Sequence, residues 1–249
     1  MDLREAFQRY KVCVVRITVE LPNGTLSTGS GFHIGKGYLV TARHVVEGNI
    51  IQEVVGEGFY QSAKVKRIIY PENSRIDLAI LESDFSLEFY MTKTKLCGAS
   101  WEKTDVIEVG GHLDDWIGDE FVLSKALLMG FPRVPLSRFP VVVAVAAEVN
   151  AVVDRYDVPY PYFVISSVSR GGFSGGPVIS EWGFLLGVLV HSLYEGDQRS
   201  ELGFAAAISV EPLLNLIYES KIDCGENSTG AKWLLEGGDL DNYPGPEED

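Results

Sequence analysis

Runs of β-branched and aromatic residues separated by turn signals predict an all-β fold for this chain. From Val12 to Ile80 such runs alternate with Pro22-Asn23-Gly24, Gly35-Lys36-Gly37 and Pro71-Glu72-Asn73, at intervals that suit a barrel. The same texture returns in the second half. At 249 residues, a double barrel fits the length of a single domain. A chain of this size buries roughly 70–75% of its unfolded surface.

The elements follow in order. Leu3, Phe7 and Tyr10 have helical spacing and predict a short amphipathic helix over 2–10. The first barrel is expected over about 11–95. Residues 82–117 are less regular, with Cys97-Gly98-Ala99-Ser100 and Gly110-Gly111-His112 as loop signals, and are read as the crossover. The second barrel is expected over about 118–210, starting near Gly118-Asp119-Glu120, with strands near 126–131, 141–153, 162–167, 177–180, 184–191 and 204–208. Leu213, Leu214 and Ile217 share one helical face and predict a helix over about 211–219. One domain over 1–225 is therefore expected. Beyond Cys224 the composition changes, and 226–249 is read as an acidic, disordered tail, since residues 236–249 hold six acids and no base. A sharper reading places that tail in the cleft or in a partner's groove.

A net charge of −14 with no Lys/Arg-rich cluster excludes nucleic-acid binding. The first ten residues intersperse charges among apolar residues and lack the apolar stretch of a signal peptide. The longest apolar run, 141–147, is too short to span a bilayer, so no membrane association is expected. No spacing of Cys and His resembles a metal site, and no cofactor is expected.

The chemistry concentrates in Ser169-Arg170-Gly171-Gly172-Phe173-Ser174-Gly175-Gly176-Pro177-Val178. A serine attacks a carbonyl when a base takes its proton and backbone N–H groups converge on the developing oxyanion, which demands a tight turn. Taken alone, the run reads equally as a Gly-rich hairpin loop. The base lies upstream: Gly29-Ser30-Gly31-Phe32-His33-Ile34 and Gly37-Tyr38-Leu39-Val40-Thr41-Ala42-Arg43-His44-Val45-Val46 read as two strands around a glycine turn, delivering His44 at a strand end. In Arg75-Ile76-Asp77-Leu78-Ala79-Ile80-Leu81, Asp77 is the one acid at the start of an apolar strand. A carboxylate there can fix the imidazole tautomer and stabilise the imidazolium. His33, His112 and His191 read as structural or surface histidines.

The order His44, Asp77, Ser174 is that of chymotrypsin-like peptidases. With the blocks G-S-G-F, L-V-T-A-R-H-V-V, D-L-A-I-L, G-G-F-S-G-G-P-V and G-F-L-L-G-V-L-V-H-S, followed by G-F-A-A-A-I, the chain resembles a trypsin-like (chymotrypsin-fold) serine peptidase. The match spans about 12–218 and is of the compact bacterial type, resembling the HtrA/Deg protease domain without a PDZ domain. The resemblance implies two six-stranded antiparallel β-barrels packed together, with a C-terminal helix. It implies an acyl-enzyme mechanism in which His44 is the base and Asp77 orients it, while the N–H groups of Gly172 and Ser174 form the oxyanion hole. It places Val168 at the base of the primary specificity pocket, with Val190, His191 and Ser192 as its wall and Gly203 opposite. With no carboxylate there, an apolar residue before the scissile bond is expected.

Two positions depart from the family. Phe173 stands where activated trypsins carry the Asp that binds a new N-terminus, so activation by cleavage is not expected. Val190 stands where a serine often supports the triad acid. Secreted trypsins carry several disulfides, whereas Cys13, Cys97 and Cys224 show no framework spacing. They read as small buried hydrophobes in a reducing compartment, and the expected localisation is cytoplasmic.

The sequence thus predicts a serine endopeptidase with a polypeptide substrate. Regulation by an activating protein partner or by substrate is also expected, acting on an oxyanion loop that is partly misordered at rest. The rival readings are a catalytically silent module that binds a peptide as an added strand, and an esterase.

Overall fold

A computed structural model describes residues 2–57, 61–87, 106–110, 121–167, 171–194 and 201–238, without the side chains of 192–194 and 201–202. Helix α1 (Leu3–Tyr10) leads through a 3-10 turn into the first set of strands: β1 (Val14–Glu20), β2 (Leu26–Gly35), β3 (Tyr38–Thr41), β4 (Ile50–Gly56), β5 (Val65–Ile69) and β6 (Ala79–Ser83). They form one antiparallel sheet in the order β4-β1-β2-β3-β6-β5. The second set comprises β7 (Lys125–Gly130), β8 (Val143–Asp154), β9 (Pro161–Ile165), β10 (Pro177–Ser180), β11 (Leu185–Tyr194) and β12 (Glu201–Ser209), closed into a barrel in the order β10-β11-β12-β9-β8-β7.

The first sheet is a half-barrel rather than a second closed barrel. Its edge strands β4 and β5 are linked where Ala63 donates its N–H to Val54 O and Val54 donates to Ser62 Oγ. Lys66 and Arg67 put charge on β5, which suits a solvated edge better than a central ladder. Both cores are filled by buried apolar side chains, among them Val15, Ile17, Phe32, Leu39, Val40 and Ile80 in the first sheet and Leu128, Phe163, Val178 and Val188 in the second barrel. The β3–β6 ladder pairs Leu39 with Leu81, Val40 with Ile80 and Thr41 with Ala79, which places the ends of both strands beside each other.

Helix α1 is joined to the second barrel, not only to the strand it precedes. Tyr10 is almost fully buried, and its hydroxyl donates to Gly183 O at 2.9 Å.

Helix α3 (Glu211–Glu219) forms as its apolar spacing predicts, with Pro212 in its first turn and Leu213, Leu214 and Ile217 buried. The tail expected from 226 is corrected: Glu226–Leu235 is a further helix, α4, with Ala231 and Leu234 buried. Its buried Asn227 holds it in place, accepting from Val109 N–H at 3.0 Å and donating to Ile34 O at 2.7 Å and Ile107 O at 3.0 Å. The folded unit therefore extends past 225. Residues 239–249, most of the crossover, Val168, Cys97 and His112 lie outside the described residues.

Candidate active site

His44 does not lie on the strand that leads to it. Chain direction changes after Thr41, and His44 occupies a single helical turn, α2 (Arg43–Val46), with Val45 and Val46 packed inward. Arg43 braces this turn. Its guanidinium donates twice to Glu47 Oε1, at 2.9 and 2.7 Å, lies 4.6 Å from the centre of the Tyr70 ring and reaches Pro71 O at 3.3 Å. The histidine turn is thereby tied to the loop that carries the acid.

Asp77 lies in that loop, two residues before β6 rather than on it. Its carboxylate takes both N–H groups of His44: Oδ2 lies 2.7 Å from Nδ1, and Oδ1 accepts the backbone N–H at 2.9 Å. Burial pushes the Asp77 carboxyl up, but the His44 side-chain hydrogen bond and charge, its backbone N–H and the nearby His191 together hold it below the ordinary aspartate range. An ionised Asp77 selects the Nδ1–H tautomer and leaves Nε2 free to accept a proton.

Ser174 sits in the turn before β10. The turn is pinned by Gly175 N–H to Leu189 O at 2.7 Å, Gly176 N–H to Phe173 O at 2.9 Å, and Ser30 N–H to Ser174 O at 2.8 Å. Gly175 has φ +86°, and a Cβ there would collide with Ser30 O and Thr41 Oγ1. Gly172 has φ +105°, with Phe131 O 2.5 Å from where its Cβ would be. Both positions need glycine for conformation and for space. Among the described residues, the N–H groups of Gly172 and Ser174 have no acceptor, and an open pair of donors is what an oxyanion would require. In this conformation the turn leaves both donors open.

The Ser174 hydroxyl donates to Val190 O at 3.1 Å, and among the described residues it makes no bond to His44.

A trypsin-like peptidase domain model matches residues 29–188. The chain belongs to the trypsin-like peptidase family. Its fold is shared with the Rv3671c protease of M. tuberculosis in its active form, at 19% identity, TM-score 0.59 and coverage of 88% of this chain and 84% of that one. The HtrA-type protease AlgW with a tripeptide is similar at 17% identity and TM-score 0.61, over 90% of this chain and 64% of that one. No curated protein matches the chain.

Of the pocket residues that the family pattern assigns, Val190 is fully buried on β11 and offers its carbonyl to Ser174. Gly203, on β12, has φ +81° and open space where a Cβ would be. His191 and Ser192 pair with Ala206 and Ala205 of β12. The side chain of Ser192 and all of Val168 lie outside the described residues.

Tyr162 and Arg155 had no motif to announce them, whereas the family pattern assigned their neighbour in the site, His191, to the pocket wall. His191 lies close enough to Asp77 and His44 to interact with their charges; burial pushes its imidazole down, Asp77 pulls it up, and Arg155 and His44 lower it further, leaving it below the ordinary value. Tyr162 is pushed up to about 12, chiefly by burial, with Arg155 opposing and Asp77 adding to the shift. Arg155 stacks 4.7 Å above the Tyr162 ring and pairs with Asp157 at 2.6 Å. Asp77 thus lies within electrostatic reach of His191 and Tyr162, and Arg155 acts on both of those groups. No group of His, Cys, Asp and Glu suited to a metal occurs among the described residues.

Proposed function

We propose that the chain is a serine endopeptidase acting through His44, Asp77 and Ser174. The observation that carries the reading is the two-point grip of Asp77 on His44 beside a serine turn with two open N–H donors. In the reaction, Ser174 rotates from Val190 O towards His44 Nε2, which takes its proton as Oγ attacks the peptide carbonyl. The N–H groups of Gly172 and Ser174 hold the oxyanion. His44 then protonates the leaving amine, and water repeats the sequence on the acyl-enzyme. Catalytic hydrogen bonds are often long or misaligned without substrate and tighten in the complex, which accommodates the resting hydroxyl position.

The substrate is a polypeptide laid along β11, in keeping with the tripeptide held by the similar AlgW structure. Its residue before the scissile bond is apolar, with Val168, Val190, His191, Ser192 and Gly203 forming the pocket. Regulation by a protein partner or substrate segment belongs to the same proposal, acting on the oxyanion loop. The same reading takes the chain as cytoplasmic, in keeping with the reduced thiol of Cys224.

The second reading, a silent peptide-binding module, draws on the bond from Ser174 to Val190 O. A fluorophosphonate probe separates the two. Labelling of wild type that disappears in Ser174→Ala and His44→Ala supports the peptidase, and an unlabelled wild type supports the module.

A further inference from the structure

Ser30, the serine of G-S-G-F, is fully buried at the centre of β2, yet its polar atoms serve three other segments. Its Oγ donates to Gly172 O at 2.5 Å and accepts Phe131 N–H at 2.8 Å. Its own N–H donates to Ser174 O at 2.8 Å, and its carbonyl accepts from Thr41 Oγ1 at 2.7 Å. One residue of the first sheet therefore holds the serine turn on both sides of Phe173 and also holds the chain where it leaves β7.

The fit leaves no slack. A Cβ at Gly130 would lie 2.8 Å from Ser30 Oγ and 2.9 Å from the Phe173 ring, so the bare backbone of β7 is what lets these groups meet. Gly172, with its positive φ, has no side chain to anchor its own peptide plane. Rotation of the plane that holds the Gly172 carbonyl and the Phe173 N–H would turn the two adjoining planes, which carry the N–H groups of Gly172 and Ser174. The Ser30 hydroxyl supplies the missing anchor from outside the loop.

We propose that Ser30 is a positioning residue of the reaction: a hydroxyl latch between the two sheets that sets the Gly172 peptide and, through it, the donors for the oxyanion. The inference rests on the endopeptidase reading above. Ser30 touches neither substrate nor the reacting atoms and acts through Gly172. Because the same oxygen accepts Phe131 N–H, displacement of the segment after β7 reaches the serine turn through one shared atom.

The latch predicts a loss in turnover rather than in binding. Complete removal of an oxyanion donor costs on the order of 10²–10³ in kcat, so releasing its tether in Ser30→Ala should cost about 10–100-fold. KM for a peptide substrate should stay within about threefold, and amide exchange over 130–134 and 171–176 should accelerate about tenfold or more. Should Ser30→Ala fail to fold, Ser30→Cys keeps the side-chain shape with a somewhat larger and weaker donor, and it must show the same split between kcat and KM. A kcat within about twofold of wild type, or a loss confined to KM, overturns the latch. A wild type that hydrolyses no peptide overturns the endopeptidase reading instead. The latch is then judged on exchange alone: faster exchange in Ser30→Ala supports it, and unchanged exchange overturns it.

Discussion

Asp77→Asn is the sharpest test of how the acid works, because the structure determines what the substituted amide must do. Asp77 accepts from His44 at both oxygens, at 2.9 Å from the backbone N–H and 2.7 Å from Nδ1. Asparagine has one acceptor. Turning its NH₂ towards the backbone N–H sets two donors face to face and leaves the His44 N–H unpaired, at about 1–3 kcal/mol. The amide oxygen therefore stays on the backbone N–H, and the NH₂ faces Nδ1. Nδ1 must then accept, which moves the imidazole proton to Nε2, where it blocks removal of the Ser174 proton. A wrong tautomer of this kind costs about 10⁴ in kcat in a triad, or about 5 kcal/mol at 1.36 kcal/mol per tenfold. The assay is steady-state hydrolysis of a peptide, with thermal melting at pH 7 to show that the fold persists. Acid stability supplies a second readout. The folded carboxyl titrates below the unfolded aspartate, so its stabilisation is complete above the unfolded value of about 3.9 and is lost as pH falls through the folded one. The variant should therefore lose less stability than wild type on acidification through that range. Turnover within tenfold of wild type would refute the tautomer argument.

Further outcomes concern the surroundings of the site. His191 is held below its ordinary value, mainly by burial, and it faces Asp77, His44 and Arg155. The unfolded chain therefore binds a proton first as pH falls below about 6.5, so stability declines from there through the folded value; His191→Phe should flatten the decline in chemical denaturation between pH 7.5 and 5.5, and an unchanged slope counts against it. In a peptide library, Val, Ala or Leu before the cleaved bond should outpace Lys and Arg by tenfold or more, and a dominant basic preference would mean that an acid reaches the pocket. Asn227→Ala strands buried groups at Val109, Ile34 and Ile107 and should cost about 3 kcal/mol or more in urea denaturation; a cost under about 1 kcal/mol would show that α4 is dispensable to the fold.

What could be read before folding was local. Val14–Glu20 and Pro177–Ser180 announce strands because β-branched and apolar residues sit between turn signals, and Leu3, Phe7 and Tyr10 announce a helix by their spacing. The order of His44, Asp77 and Ser174 was legible because short motifs carry it. Val45 and Val46 hid the α2 turn, since β-branched residues after a strand look like more strand and packing alone bends them inward. Helix α4 was hidden by the acids after it. Asn227, which seats the helix, has partners more than a hundred residues away. The same distance in sequence concealed Ser30, Arg155 and Tyr162. The open edge of the first sheet depends on a ladder between β4 and β5 that does not form, and no single strand records that.

The bond from Tyr10 to Gly183 spans 173 positions. In a chain made from its N-terminal side, helix α1 is complete long before the carbonyl that seats Tyr10 has been added. Until then the first sheet must assemble with Tyr10 unclaimed. Closure of the second barrel and docking of the N-terminus become one late event, which withholds the finished serine turn from any nascent chain that stops short of it.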